Sequence, residues 1–242
     1  IRRIIMYKRV LLKLSGEALG NNEECFDLDM LDYVSSEVKK IVEAGIETSI
    51  VVGGGNFVRG RTLSKLDFDR VTSDYIGMMG TVMNAMALEA SLKKKGVKAV
   101  AMSALDVACV QRHNPAKASE LLKQGYVVIF GGGTGRPFFS TDTTSSLCAS
   151  EIKADIILMA KNGVDGVYSS DPNIDKSAKR YDVLSFDDIL NMNLKVMDST
   201  AASMCIDNGI EAFVFDMKED SNISKGAFGQ ASGTHIVIER GK

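Results

Sequence analysis

Lys13 stands two residues before Ser15-Gly16, at the end of the apolar run "KRVLLKLSG" (8–16). A lysine inside a strand pattern is disfavoured unless its stem lies along an exposed face with the charge in water. The other reading is a point charge aimed at phosphate, which the adjoining glycine turn lets approach; Lys13 alone leaves both open. Two more apolar runs end in glycine: "IETSIVVGGGN" (46–56) and "YVVIFGGGTG" (126–135). Glycines there allow a sharp turn and close approach to a ligand. Their free N–H groups, backed by helix amino termini, favour phosphate. Taken singly, such a turn more often only reverses the chain. Charged residues gather beside the same loops: Arg59 four residues after Gly55, Asp74 at the start of a helical pattern, Asp142 where the third loop enters a helix, Asp171 in "SSDPN" and Asp198 in "KVMDSTAAS". Each carboxylate alone reads as a cap or turn residue. Their collection at strand ends points to a phosphate and magnesium site. Neither G-x-x-x-x-G-K-[ST] nor G-x-G-x-x-G occurs, so a P-loop or dinucleotide grip is absent.

The elements that must hold these residues alternate. Leu31, Val34, Val38, Ile41 and Val42 recur at helical spacing within 29–45, and a long helical pattern runs from about Val71 to Lys95. Further strands are expected at 97–104, 155–162, 211–217 and 234–239. Helices are expected at 116–125, 143–154, 186–191 and 198–209, and a turn-rich hairpin in "VDGVYSSDP" (164–172). This order implies an α/β three-layer sandwich around a mainly parallel central sheet. Ligands in such sheets bind beyond the carboxyl ends of the strands, so both triglycine loops are expected on one cleft. Met78, Met79, Met83 and Met86 on the long helix read as core or as subunit contact, with core the safer reading. Residues 7–242 read as a single domain, with an acceptor-binding part at roughly 7–150 and an ATP-binding part at roughly 151–242. "IRRIIM" (1–6) reads as an added or upstream extension.

Among 242 residues the net charge is −2, and the longest like-charge run is Lys93–Lys95, which suits a solvated helix end. No basic footprint for nucleic acid and no membrane-length apolar run is present, and a cytoplasmic location is expected. Cys25, Cys109, Cys148 and Cys205 are widely spaced and read as reduced thiols. His113 and His235 read as too few and too isolated for a zinc site or a histidine-activated nucleophile. Chemistry falls to lysine, arginine, carboxylates, backbone amides and a bound cation.

Assembled, these features closely resemble the bacterial-type uridylate (UMP) kinases of the amino-acid kinase superfamily. The likeness runs through "YKRVLLKLSGEAL" (7–19), "VVGGGNFVRG" (51–60), "SDYIGMMGTVMNAMAL" (73–88), "GTGRPFFSTDT" (133–143), "AKNGVDGVYSSDP" (160–172) and "LKVMDSTAASMC" (194–205). The resemblance implies the carbamate kinase-like fold of that superfamily and ATP-dependent phosphorylation of UMP to UDP in pyrimidine nucleotide synthesis. It implies Mg2+ carried on the ATP phosphates, with no protein ligand assigned. By that pattern Lys13, Leu14, Ser15 and Gly16 contact the ATP phosphates, Gly55 and Arg59 join them, and Asn162, Tyr168 and Asp171 hold the ATP base and ribose. Gly54 meets UMP and Asp74 holds its ribose. Thr134, Gly135, Arg136, Pro137, Phe138, Phe139, Ser140 and Thr141 form the acceptor loop, in which Pro137 stiffens the chain, the phenylalanines wall a uracil pocket, and at least one of the two packs in the core. Thr134 and Thr141 are expected to bond the base edge. Asp142 and Asp198 are the candidates for orienting Lys13 and metal-bound water. The resemblance further implies a homohexamer inhibited by UTP and activated by GTP. Arg136 stands where most members carry Asn, and "GNNEECFDLD" (20–29) lacks the glycine-rich character common at the GTP site. Two other readings remain: an amino-acid kinase relative with an acylphosphate product, which acceptor tests would separate, and a UTP-sensing regulator, which would bind UTP tightly without turnover.

Overall fold

The computed structural model describes residues 7–21, 23–57, 67–172 and 174–239. The extension 1–6 and Arg59 lie outside them. In chain order the described elements are β1 (Arg9–Leu14), a short 3-10 turn (Gly16–Leu19), α1 (Leu28–Glu43), β2 (Glu47–Val52), α2 (Arg70–Lys94), β3 (Ala99–Ser103), β4 (Gln111–Arg112), α3 (Pro115–Lys123) and β5 (Val127–Gly131). There follow α4 (Thr141–Ile152), β6 (Ile156–Lys161), β7 (Val167–Tyr168), β8 (Arg180–Tyr181), β9 (Val183–Ser185), α5 (Phe186–Asn191), α6 (Ser199–Asn208), β10 (Glu211–Asp216), α7 (Asn222–Ala227) and β11 (Thr234–Val237).

Nine strands form one sheet in the order β4-β3-β5-β2-β1-β6-β10-β11-β9. Every neighbouring pair is parallel except β10 with β11. Strand alternation divides the core between the two sheet faces. Val10, Leu12 and Leu14 of β1 pack with Leu31, Val38 and Ile41 of α1, Leu88 and Leu92 of α2 and Ile223 of α7. Leu11 belongs to the opposite layer, with Leu121 of α3, Ala149 and Ile152 of α4 and Ala202 of α6. Lys13 shares parity with Leu11. The period of two therefore aims its side chain toward α4, and that single fact sets up the site.

Helix α4 is unusual in burying a run of hydroxyls, Thr143 to Ser146. Thr144, Ser145 and Ser146 each donate to the carbonyl four residues back, to Ser140 at 2.9 Å, Thr141 at 2.8 Å and Asp142 at 3.3 Å. Satisfied hydroxyls are cheap to bury, which lets a polar sequence serve as an interior helix.

Several expectations change. Helix α2 begins at Arg70 with Asp69 as its cap, accepting from Thr72 N–H at 3.0 Å, so Asp74 lies in the second turn rather than at the start. "VDGVYSSDP" supplies only one strand of its hairpin, because Val167 and Tyr168 pair antiparallel with Tyr181 and Arg180 after a long loop. Met78 is buried as expected, but Met79, Met83 and Met86 are exposed at 43%, 41% and 39%. Helix α2 is apolar around most of its circumference, so spacing alone cannot say which methionines face inward.

Candidate active site

Three glycine loops converge beyond the strand ends. Gly16 packs directly on the second loop: a Cβ there would stand 2.5 Å from Gly55 N and also collide with Gly53 O. A Cβ on Gly54 would meet Gly77 O of α2 at 2.5 Å. No side chain fits between these backbones, which is the physical need for glycine at both positions.

A cleft of about 640 Å³ opens above them. Its wall includes Gly54, Gly55 and Gly133 of the two triglycine loops, as expected, together with Asp74, Arg136, Phe139, Ser140 and Thr141. The aromatic pair divides differently from expectation: Phe138 is 65% exposed and Phe139 49%, so neither is core, and only Phe139 lines the cleft. Phe138 has φ +72°, a left-handed backbone that non-glycine residues rarely adopt. Two contacts hold it there. Its N–H donates to Asp74 Oδ2 at 2.7 Å, and the Arg70 guanidinium lies 5.6 Å from its ring centroid. Arg70 Nε also donates to both Asp74 oxygens, at 2.8 and 2.9 Å. Asp74 thus braces the loop that carries Phe138 against α2 while its side chain forms part of the cleft wall. Thr134 and Gly135 turn inward on the loop itself. The Thr134 hydroxyl donates to Arg136 O at 3.1 Å, and Gly135 N–H donates to Gly132 O at 2.9 Å. Thr134 and Pro137 do not line the cleft.

Lys13 Nζ meets Asp142 Oδ1 at 2.8 Å, with both side chains largely buried. Asp142 is not the cap of α4. Ser140 caps it, accepting from the N–H groups of Asp142 at 3.0 Å and Thr143 at 3.1 Å. The freed carboxylate in the first turn, where the helix dipole favours negative charge, turns to Lys13. Asp198 fulfils its reading as a cap and reaches α4 as well. It caps α6, accepting from Ala201 N–H at 2.9 Å, and it accepts from the hydroxyls of Ser140 and Thr143. Burial opposes its ionisation, but the bonds from Ser140, Ala201 and Thr143 outweigh that and hold the carboxyl below its usual range.

A second cavity of about 580 Å³ lies on the same side of the sheet as Lys13. Tyr168 and Asp171, two of the residues named by the resemblance, line it; Asn162 is exposed beside it and is not on its wall. Tyr168 donates to Asp165 Oδ1 at 2.6 Å, and Asp165 is also paired with Arg180. Leu14 is buried in the core, so only its backbone faces the loops.

The sequence reading missed Lys161. It ends β6 and lines the second cavity, donating to Val196 O at 3.0 Å. Lys13 is level with Met159 in the β1–β6 pairing, and Lys161 falls on the same sheet face two residues further on. Burial first, then the charge of Lys13, lowers its pKa to about 8. The same signal that singles out Lys13, a cation closing an apolar strand, was present in "DIILMAK". Lys13 and Asp142 both act electrostatically on Lys161, and Asp142 follows directly on the cleft residues Ser140 and Thr141. The pair therefore stands between the two cavities without lining either wall. Asp142 Oδ1 is buried and has no hydrogen bond beyond its lysine contact, an oxygen of the hard kind that suits magnesium.

Comparison with known proteins agrees with this geometry. The amino acid kinase family model matches residues 8–216. A uridylate kinase of Mycoplasmopsis pulmonis is 47% identical over 96% of this chain and 97% of its own length. The crystal structure of a UMP kinase from Bacillus anthracis superposes with a TM-score of 0.93 at 39% identity, covering 97% of each chain. A UMP kinase structure from Ureaplasma parvum gives 0.91 at 36% identity, covering 95% of this chain and 98% of the other. The chain belongs to the amino acid kinase family and, within it, to the uridylate kinases.

Proposed function

We propose that the protein transfers the γ-phosphoryl group of ATP to UMP, giving UDP for pyrimidine nucleotide synthesis. The observation that carries this reading is the buried Lys13–Asp142 pair between two nucleotide-sized cavities. UMP is assigned to the cleft beside Gly54, Asp74, Arg136 and Phe139. ATP is assigned to the cavity beside Tyr168 and Asp171, with its phosphates reaching toward Ser15, Gly16 and Lys13.

Phosphoryl transfer leaves a protein little covalent work, so positioning and charge stabilisation dominate. A UMP phosphate oxygen attacks the γ-phosphorus in line while the bond to the bridging oxygen of ADP breaks. The acceptor phosphate is already largely ionised near neutral pH, so no general base is required. Lys13 leaves Asp142 in part to face the equatorial oxygens, and loop N–H groups of Gly16 and Gly55 neutralise the rest. Arg136 adds a cation at the acceptor phosphate. Asp198, through Ser140 and Thr143, fixes the amino terminus of α4 that carries Asp142. Asp142 is the carboxylate that would hold a Mg2+ ion, which would supply further charge neutralisation when bound. The same reading extends to a homohexamer inhibited by UTP and activated by GTP; the exposed methionines of α2 give a subunit contact a surface to use.

The test is ADP formation from Mg-ATP with UMP, CMP, dUMP, AMP, acetylglutamate and carbamate as acceptors, and Lys13→Ala as control. Turnover with UMP, abolished by the substitution, is expected; turnover only with a carboxylate or carbamate would overturn the acceptor assignment.

A further inference from the structure

Away from the nucleotide cavities, a histidine and two residues of a distant helix converge between α3 and α4. His113 lies just after β4, held by its N–H to Ser103 O at 2.8 Å and by ring packing on Phe130 with centroids 5.0 Å apart. Cys148 and Glu151 sit three residues apart on α4, hence on one helix face. Their ligand atoms all lie within 4.8 Å of one another. His113 Nε2 approaches Glu151 Oε2 to 3.0 Å, yet both atoms are buried and neither has an aligned hydrogen bond. Buried polar atoms are normally satisfied, and two that converge without aligning leave a place for a third partner. The Cys148 thiol is 1% exposed on the remaining side.

We propose that His113 Nε2, Cys148 Sγ and Glu151 Oε2 form a site for one divalent cation of the zinc class, separate from the nucleotide cavities. An imidazole, a thiolate and a carboxylate are the donors such a cation takes, and a hard ion such as Mg2+ does not choose sulfur. Donors around tetrahedral zinc stand roughly 3.3–3.8 Å apart at bond lengths of about 2.0–2.3 Å. The cluster needs only side-chain adjustment to reach that, with solvent as a fourth ligand. Burial, and then the nearby negative charge of Glu151, raise the Cys148 thiol well above its ordinary value. A bound cation supplies the positive charge this corner lacks and releases the thiol proton to water. Because α4 carries Asp142 in its first turn, the ion ties the segment before α3 to the helix that positions Lys13.

The experiment titrates the metal-free full chain, without nucleotide, with Co2+ and follows its absorption. One equivalent with tetrahedral ligand-field bands and a thiolate-to-cobalt charge-transfer band is expected, displaced by Zn2+. The charge-transfer band should vanish in Cys148→Ser and persist when the exposed Cys25 and Cys109 are both changed to Ser. His113→Gln should weaken Co2+ binding by about tenfold or more, since even outer-shell partners count for that much. Melting of each variant without metal checks its fold. If Cys148→Ser does not fold, the Zn2+-induced rise in melting temperature, expected to be lost in His113→Gln, decides the matter. No thiolate band in the parent chain, a band surviving Cys148→Ser, or a Zn2+ shift unchanged by His113→Gln overturns the site.

Discussion

The two cavities are built on opposite principles. The acceptor cleft is walled by the long helix α2 and glycine loops that touch backbone to backbone, and its neighbouring cation, Lys13, faces a dedicated carboxylate. The second cavity is walled largely by short strands and turns, and its buried cation, Lys161, bonds the Val196 carbonyl and lies near the charges of both Lys13 and Asp142. One lysine is held in place by an opposite charge; the other is left near the edge of its charged range. In the proposed reaction, fixed charge suits the point of transfer, and adjustable charge suits the cavity assigned to ATP.

The contrast can be broken most directly at Lys13. Lys13→Ala is expected to lower kcat by ~10²-fold or more, comparable to losing an oxyanion donor, and to lower the melting temperature as well, since it leaves the Asp142 carboxylate buried without its counter-ion. Near-normal turnover would remove the distinction between the lysines. Next in size, Asp74→Asn is expected to raise the apparent KM for UMP about tenfold, the worth of a charge-assisted hydrogen bond, with KM for ATP nearly unchanged. Equal effects on both substrates would mean that the cavities are not independent.

Lys161 sharpens the comparison through pH. Its lowered pKa of about 8 leaves it charged below that pH and neutral above it. Since kcat/KM for ATP reports the free enzyme, that ratio is expected to fall several-fold as pH rises through about 8. Lys161→Met should be low at all pH values and lack that step; a step that survives the substitution belongs to another group. The smallest effect is expected from Tyr168→Phe. It deletes the bond to Asp165 while leaving Asp165 its pairing with Arg180, and should cost about 0.5–1 kcal/mol in thermal or urea unfolding.

The layered α/β plan was legible because the long strands are largely apolar runs, and β2, β5 and β6 run into glycine or a cation. Lys13 was legible for the same reason. What was not legible depends on tertiary placement. Competing caps in "STDTT" hide which residue begins α4, and only the fold shows that Ser140 caps it and frees Asp142 for Lys13. The exposure of Met79, Met83 and Met86 is invisible in a helix apolar on most sides. Phe138 and Phe139 look alike in sequence; a left-handed φ, imposed by the Asp74 contact, separates them. His113 lies 35 residues before Cys148, and only the packing of α3 against α4 ends the isolation expected of it.

The central place of β1 also sets an order of assembly. It pairs with β2 through Val10 and Thr48, and with β6 through Val10 and Ile156, so one neighbour is close in sequence and the other very distant. At synthesis rates of about 5–20 residues per second, β1 to β5 are complete about 1–5 s before β6 begins to emerge. The acceptor side of the sheet can therefore settle while the ribosome is still making the donor side. Lys13 then waits at an unfinished sheet edge, and β6 arrives to cover that edge and deliver the second lysine in the same step.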